Sequence, residues 1–308
     1  MSEDLLSFGR LGFDLESIRD LYPFQSNFIQ IEGLNYHYLD EGSGKPVLML
    51  HGNPTWSFYY RNLVLGLKEK HRVIVPDHIG CGLSDKPQNY SYRLARHIEN
   101  VLHLIHRLDL NDITLVVHDW GGMIGFGAAM QDPGRFSRFV ILNTGAFRLP
   151  QSGSLSRRIG ACRVPGFGKM AVRVFNAFAR GASMMATVSG KMSKREKDAL
   201  CAPYNSYQNR IATHRFVEDI PLEADHASYA RLVQIENFLP NFSHLPRQLI
   251  WGKQDFCFDD HFLARWKEIW PDMPVLELPD AGHYVLEDAK DEVLGCIQDF
   301  FERTKGDS

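Results

Sequence analysis

Short apolar runs closed by a polar or glycine turn recur along the chain. They are PVLMLHG at 46–52, RVIVPD at 72–77, ITLVVHD at 113–119, RFVILNTG at 138–145 and RQLIWGKQD at 247–255. Continuous runs of this length suit strands buried on both faces of a sheet. Before them, NFIQIEGLNYHYLDEG at 27–42 alternates apolar and polar positions around a glycine, the pattern of a two-stranded hairpin. PVLELPDAGH at 274–283 adds one more strand. Between the runs lie segments of helical period, SFYYRNLVLGLKEK and RLARHIENVLHLIHRLDL, and DEVLGCIQDFFERT closes the chain. Strand and helix in alternation predict a mostly parallel sheet with flanking helices, whose active site lies at the carboxyl ends of the strands.

The alternation breaks between 146 and 232, where no strong strand pattern occurs and Pro150, Pro165, Pro203 and Pro221 punctuate helical stretches. The expected organisation is therefore a core of residues 1–145 and 233–308 with a helical cap at 146–232, inserted after about the sixth strand. MAVRVFNAFARGASMMA and YNSYQNRIATHRFVEDI are its predicted helices. The first twenty residues find no partner in this scheme.

Composition narrows the function classes. A net charge of −3 gives no basic footprint for nucleic acid. The 13 histidines are scattered, with neither an HExxH motif nor a paired CxxC, so no metal site is expected. Five widely spaced cysteines read as reduced thiols of a cytoplasmic protein. The N-terminus has no apolar core of a signal peptide, and no apolar run approaches the ~18 residues of a membrane span.

The stretch TLVVHDWGG carries the chemistry. A strand-to-helix turn of this shape is a nucleophile elbow, usually tipped by serine; here the tip is Asp119. A carboxylate needs no base to become nucleophilic near neutral pH, but attack at carbon leaves an ester that a second step must resolve. The bland alternative is a helix N-cap. His283 follows the last strand and precedes the last helix, the place of the base in the order nucleophile, acid, histidine. Asp255, just past the QLIWG strand, is the candidate acid that would orient it. Asp259 and Asp260 read instead as caps of the next helix, and the other acid position, after FVILN, holds only Asn143 and Thr144. The backbone N–H groups of Asn53 and Trp120 fit an oxyanion hole, and the Asn53 amide with the Trp120 indole could hold a leaving anion. Each has a bland reading too, Trp120 as core and Asn53 as a turn before Pro54.

HGNPTWSF, PDHIGCGLSDKP, VVHDWGG, WGKQDFCFDD and DAGHYVLED together resemble the haloalkane dehalogenase family of α/β-hydrolases, over nearly the whole chain. Asp255 in the acid position with the Asn53–Trp120 pair resembles the third subfamily, which also contains the β-lactone decarboxylases of bacterial long-chain olefin biosynthesis. HGNPTWSFYYRNLV, NAFAR and DFCFDDHFL resemble that branch more. The resemblance implies an α/β-hydrolase fold, no cofactor, and a small apolar substrate: a cis-3,4-dialkyl β-lactone first, a haloalkane as the alternative. It also implies assembly with the thiolase, reductase and lactone synthetase of the same pathway. Phe167, Phe175, Phe178, Met184 and Met185 are expected to line an alkyl channel or to fill the cap core. An epoxide hydrolase would use cap tyrosines, for which Tyr204, Tyr207 and Tyr229 are available. A non-catalytic binding protein would normally have lost a triad member, and this chain has lost none.

Overall fold

The computed structural model describes residues 6–151, 153, 155–188, 190 and 192–305. The predicted strands all form: β1 (Ser26–Ile31), β2 (Leu34–Glu41), β3 (Pro46–Leu50), β4 (Arg72–Pro76), β5 (Ile113–Asp119), β6 (Phe136–Thr144), β7 (Arg247–Gly252) and β8 (Val275–Leu278). They make one sheet in the order β1-β2-β4-β3-β5-β6-β7-β8. The β1–β2 and β2–β4 pairs are antiparallel, and the pairs from β4 to β8 are parallel. Every residue of β5 is buried, as its unbroken apolar run predicts.

Topology places the site. After β3 the chain turns to β4 on one side, and β5 then enters on the other, with Leu50 level with Val117. The carboxyl ends of β3 and β5 therefore flank a crevice where the direction of winding reverses. The loop after β3 and the tip of β5 are forced together there.

Among the described residues no strand lies between β6 and β7. That segment holds helices Arg157–Arg163, Ala177–Met185, Lys194–Cys201, Ile211–Glu218 and Tyr229–Phe238. The last of these packs on the Trp120–Gln131 helix of the core and runs through the boundary expected at 232/233. The single helix read over MAVRVFNAFARGASMMA is two pieces. Met170–Val174 is a wide π turn, and Asn176, at φ 54°, breaks the chain before Ala177–Met185. Asparagine tolerates that left-handed conformation better than most residues.

The N-terminal segment does have a partner. Leu11, Leu15, Ile18, Tyr22 and Phe24 are buried, and the Tyr22 hydroxyl lies 2.6 Å from Ser57 Oγ. Arg10 pairs with Asp85, Asp20 with Arg195, and the Leu11 carbonyl accepts from Asn205 Nδ2. The segment thus straps the sheet side to the helices beyond β6.

His97, on the Leu94–Arg107 helix, stacks on Phe216 with ring centroids 4.5 Å apart, and neither ring nitrogen has a partner among the described residues. Burial, helped by His51, lowers its pKa to about 3. The folded state holds the ring neutral, so its contribution is complete above about pH 6.5 and declines as pH falls toward 3. His97→Phe is expected to narrow the gap between melting temperatures measured at pH 7 and pH 5; an unchanged gap would remove His97 as a source of acid sensitivity.

Candidate active site

Asp119 stands at φ 51° and ψ −124°, the left-handed region that costs a non-glycine residue about 1–3 kcal/mol. The turn is tight because β5 runs directly into the Trp120–Gln131 helix. Two glycines permit it. A Cβ on Gly121 would lie 2.0 Å from the Leu50 carbonyl oxygen, and one on Gly122 2.0 Å from Thr144 Oγ1. Asp119 occupies the N-cap position but caps nothing with its side chain. Its Oδ1 instead accepts from the Asn53 N–H at 2.7 Å, and the Trp120 N–H also donates to the carboxylate. The expected oxyanion donors thus converge on the Asp119 carboxylate itself. Thr144 Oγ1 donates to the Asp119 carbonyl and braces the turn from β6.

His283 and Asp255 are brought to the same place. His283 Nε2 lies 3.7 Å from Asp119 Oδ2, and Nδ1 lies 2.8 Å from Asp255 Oδ2. Asp255 is further held by Asn143 Nδ2 at 3.0 Å and by the Cys257 N–H at 2.6 Å. Asn143 also donates to the Gly252 carbonyl and accepts the Gly252 N–H, so it ties β6 to the acid's loop. Sequence reasoning passed over Asn143 and Thr144 because neither is an acid. Their signal was their place at the end of β6, beside the elbow. Asp259 caps the next helix through the His261 N–H, as expected.

Burial raises the Asp119 pKa, against the lowering influence of His283 and the two N–H donors. Burial would lower that of His283, but the Asp255 and Asp119 carboxylates outweigh it and leave it raised. Beneath Asp119, His118 Nε2 donates to the His283 carbonyl at 2.8 Å, and burial holds His118 far below its usual pKa. The loop after β3 is locked by a histidine pair: His51 Nδ1 donates to the Gly52 carbonyl, and the His78 N–H donates to His51 Nε2. His78 Nε2 donates in turn to the His51 carbonyl. Burial keeps both rings neutral, and His51 has to be so to donate from Nδ1 while accepting at Nε2.

Asp119, Trp120, Asn53 and His283 open onto a cavity of about 190 Å³, otherwise walled mainly by apolar side chains such as Phe147, Ile159, Val217 and Phe258. The Trp120 indole N–H has no acceptor among the described residues. Asn53 differs from expectation: its Nδ2 is already committed to the Thr213 carbonyl at 3.1 Å, leaving one amide hydrogen for a ligand. Of the five apolar residues expected in a channel or a cap core, only Phe178 and Met185 line the cavity; Phe167, Phe175 and Met184 are exposed on the outside. None of Tyr204, Tyr207 and Tyr229 lines it, and the Tyr204 hydroxyl donates to the Thr55 carbonyl, so the two-tyrosine reading loses its donors. Asp255, Cys257 and His283 bring donor atoms within 4.8 Å of one another, a set that could hold a metal ion. In that set His283 Nδ1 is already bonded to Asp255 Oδ2 at 2.8 Å, and burial with the nearby carboxylates pushes the Cys257 thiol well up.

The mostly parallel eight-stranded sheet in this strand order, with helices flanking it and a sharp strand-to-helix turn after β5, defines an enzyme of the α/β-hydrolase superfamily. Residues 45–290 match the alpha/beta hydrolase fold family, and the chain belongs to it. It is 50% identical over 288 residues to a cis-3-alkyl-4-alkyloxetan-2-one decarboxylase of Shewanella oneidensis, covering 92% of this chain and 91% of that protein. A Xanthomonas campestris protein of the same name is 43% identical, with 92% and 97% covered. Haloalkane dehalogenase 2 of Mycobacterium tuberculosis is 30% identical, with 94% and 100% covered. Among solved structures, the haloalkane dehalogenase DatA of Agrobacterium tumefaciens C58 superposes with a TM-score of 0.82 at 26% identity, over 91% of this chain and 96% of that one.

Two outcomes follow from the geometry. A Cβ on Gly52 would lie 1.9 Å from Asp119 Oδ1. Gly52→Ala is therefore expected to keep the fold and cost about a hundredfold in turnover, as an ångström-scale misplacement does; wild-type turnover would show that the carboxylate has room to shift. Asp255→Asn removes the largest influence raising the His283 pKa and leaves burial to dominate. Its NMR titration should move to lower pH, and a midpoint that stays in place would detach Asp255 from His283.

Proposed function

We propose that this enzyme is a cis-3-alkyl-4-alkyl-β-lactone decarboxylase that releases CO2 and a cis-alkene, with Asp119 as nucleophile. The similarity to the Shewanella oneidensis decarboxylase, 50% identity across 92% of the chain, carries this reading. The apolar cavity around a single carboxylate supports it, since two alkyl chains need such walls.

In this reading residues 146–232 act as a cap that closes the cavity over the core. Asp119 Oδ2 attacks the lactone carbon that bears the ring oxygen. That C–O bond breaks, and its electrons leave with the freed substrate carboxylate. The Trp120 indole N–H and the remaining Asn53 amide hydrogen hold this anion. Next the bond to the carboxylate carbon breaks. Its electrons form the C=C bond and expel Asp119, and CO2 departs. Inversion in the first step followed by anti departure in the second preserves the cis relation. No proton moves, so His283, oriented by Asp255, serves as the positive neighbour of Asp119.

The same first step on a haloalkane would expel halide into the same cradle, and His283 would then have to deprotonate water to resolve the ester. The dehalogenase relatives keep that second reading in view. The decarboxylase reading carries with it the assembly with thiolase, reductase and lactone synthetase that the resemblance implies. It also carries a cytoplasmic location, supported by five free cysteines. Among the described residues no helix is long and apolar enough to cross a membrane.

Purified protein given a cis-dialkyl β-lactone should form alkene detectable by gas chromatography, and should release little bromide from 1-bromobutane. Rapid bromide release without alkene would overturn the reading in favour of dehalogenation. Asp119→Ala should lower turnover at least about a thousandfold. With 1-bromobutane, His283→Phe accumulates a butyl adduct on Asp119 only if the hydrolytic route operates.

A further inference from the structure

One face of the helical segment beyond β6 is built unlike the rest of the surface. Val164, Phe167, Met170, Val174, Phe175 and Met184 are all about half exposed or more, with Phe175 at 62% and Met184 at 71%. They lie on the consecutively packed Phe167–Lys169, Met170–Val174 and Ala177–Met185 turns and the loop before them. Exposed large apolar side chains scattered singly need no explanation, but a run of them on adjoining turns marks an interaction surface.

Charge says what kind. From Asp132 to Glu196 the chain has no acidic residue between, while residues 146–195 carry ten Lys and Arg. This in a protein of net charge −3 is a strong local asymmetry. Arg157, Arg158, Lys169 and Arg180 are exposed and form no ion pair among the described residues. The Ala177–Met185 helix joins this face to the cavity: Phe178, Gly181, Ala182 and Met185 line the cavity, while Arg180 and Met184 point outward. Leu149 and Met185 line the cavity and are also exposed, so its mouth opens at the edge of the same face.

We propose that this apolar, cationic face docks on an anionic phospholipid surface and sets the cavity mouth against the bilayer. Apolar side chains interspersed with Lys and Arg, on a stretch with no acidic residue of its own and with Glu223 of a later turn taken up by Arg163, match a lipid interface with negative headgroups. A second copy of the chain fits badly, because a twofold contact would set the same cations against one another. A cavity walled by apolar side chains takes an apolar guest, and such a molecule is concentrated in a bilayer. The surface lies outside the Asp119 site, so the proposal goes beyond the catalytic reading.

The test is sedimentation with phosphatidylglycerol–phosphatidylcholine vesicles, with pure phosphatidylcholine vesicles beside them. Wild-type protein should pellet with the anionic vesicles and much less with the neutral ones, and added salt should weaken binding. A basic residue near an anionic surface strengthens binding roughly fivefold. The pair Lys169→Glu and Arg180→Glu should therefore bind at least about tenfold more weakly. The triple variant Met170→Gln, Phe175→Gln and Met184→Gln, none of which lines the cavity, should lose binding to a similar degree. Both variants should keep wild-type melting temperatures and wild-type turnover of dissolved substrate. Wild type that stays in the supernatant, or variants that pellet like wild type, would overturn the proposal. A wild-type dimer in light scattering that the triple variant abolishes, with no vesicle binding, would assign the face to a second copy instead. Retention only by a purified pathway enzyme, again without vesicle binding, would assign it to a protein partner. Binding is read without substrate, so it stands or falls separately from the decarboxylase assignment.

Discussion

A carboxylate buried at the tip of β5 is the constraint on which the surrounding structure depends. Asp119 carries a group that water would solvate well into a cavity that offers mostly carbon. Two backbone N–H groups and the nearby imidazole of His283 are what make the burial tolerable. Each of these depends on a further layer. The Asn53 N–H is aimed by the neutral His51–His78 pair, the turn is braced by Thr144, and His283 is held from both sides by Asp255 and His118. Glycine at 52, 121 and 122 supplies the room that any side chain would take. The buried neutral histidines are thus part of the cost of keeping one anion ready.

The sheet was legible because its strands are buried on both faces and read as unbroken apolar runs. The order of Asp119, Asp255 and His283 along the chain was legible for a related reason: each ends a strand or follows one. What escaped the sequence depends on contacts between distant positions. Asn143 acts on a loop 112 residues away, and nothing in its neighbours announces that. The Asn53 amide looked free for a ligand until the Thr213 carbonyl, 160 residues on, was found to occupy it. The apolar residues of 164–188 were visible as apolar, but no periodicity says whether such residues turn inward or out. Eight of the ten large ones turn out, from Val164 to Val188, on either side of the break at Asn176.

The two chemistries proposed for this site differ only after the first bond is made. Both need an ionised carboxylate, an apolar chamber and donors for a leaving anion. They part on whether the substrate carries its own means of expelling Asp119. A lactone does, in the carbon–carboxylate bond that opens with the ring. A haloalkane does not, and must borrow a proton acceptor and water. The His283–Asp255 pair is required in the second case and ancillary in the first, which is why its presence alone does not separate them.

The N-terminal strap bears on how a guest reaches that chamber. The helical segment beyond β6 is fastened at its two ends by the chain, and again in its later half by Arg195 to Asp20 and Asn205 to the Leu11 carbonyl. Arg61, clasped by Glu287 and reached by Glu196, adds a buried rivet near the same place. A door fixed along that edge does not swing as one panel. Between Arg157 and Met185 the ties are of another kind: buried Arg173 reaches Gln88 Oε1 and the Tyr207 carbonyl, and Arg210 donates to the carbonyls of Arg173 and Val174. The molecule thus has a jamb riveted by ion pairs and a sill held by bonds to carbonyls, and the sill is the side that faces outward with its greasiest residues.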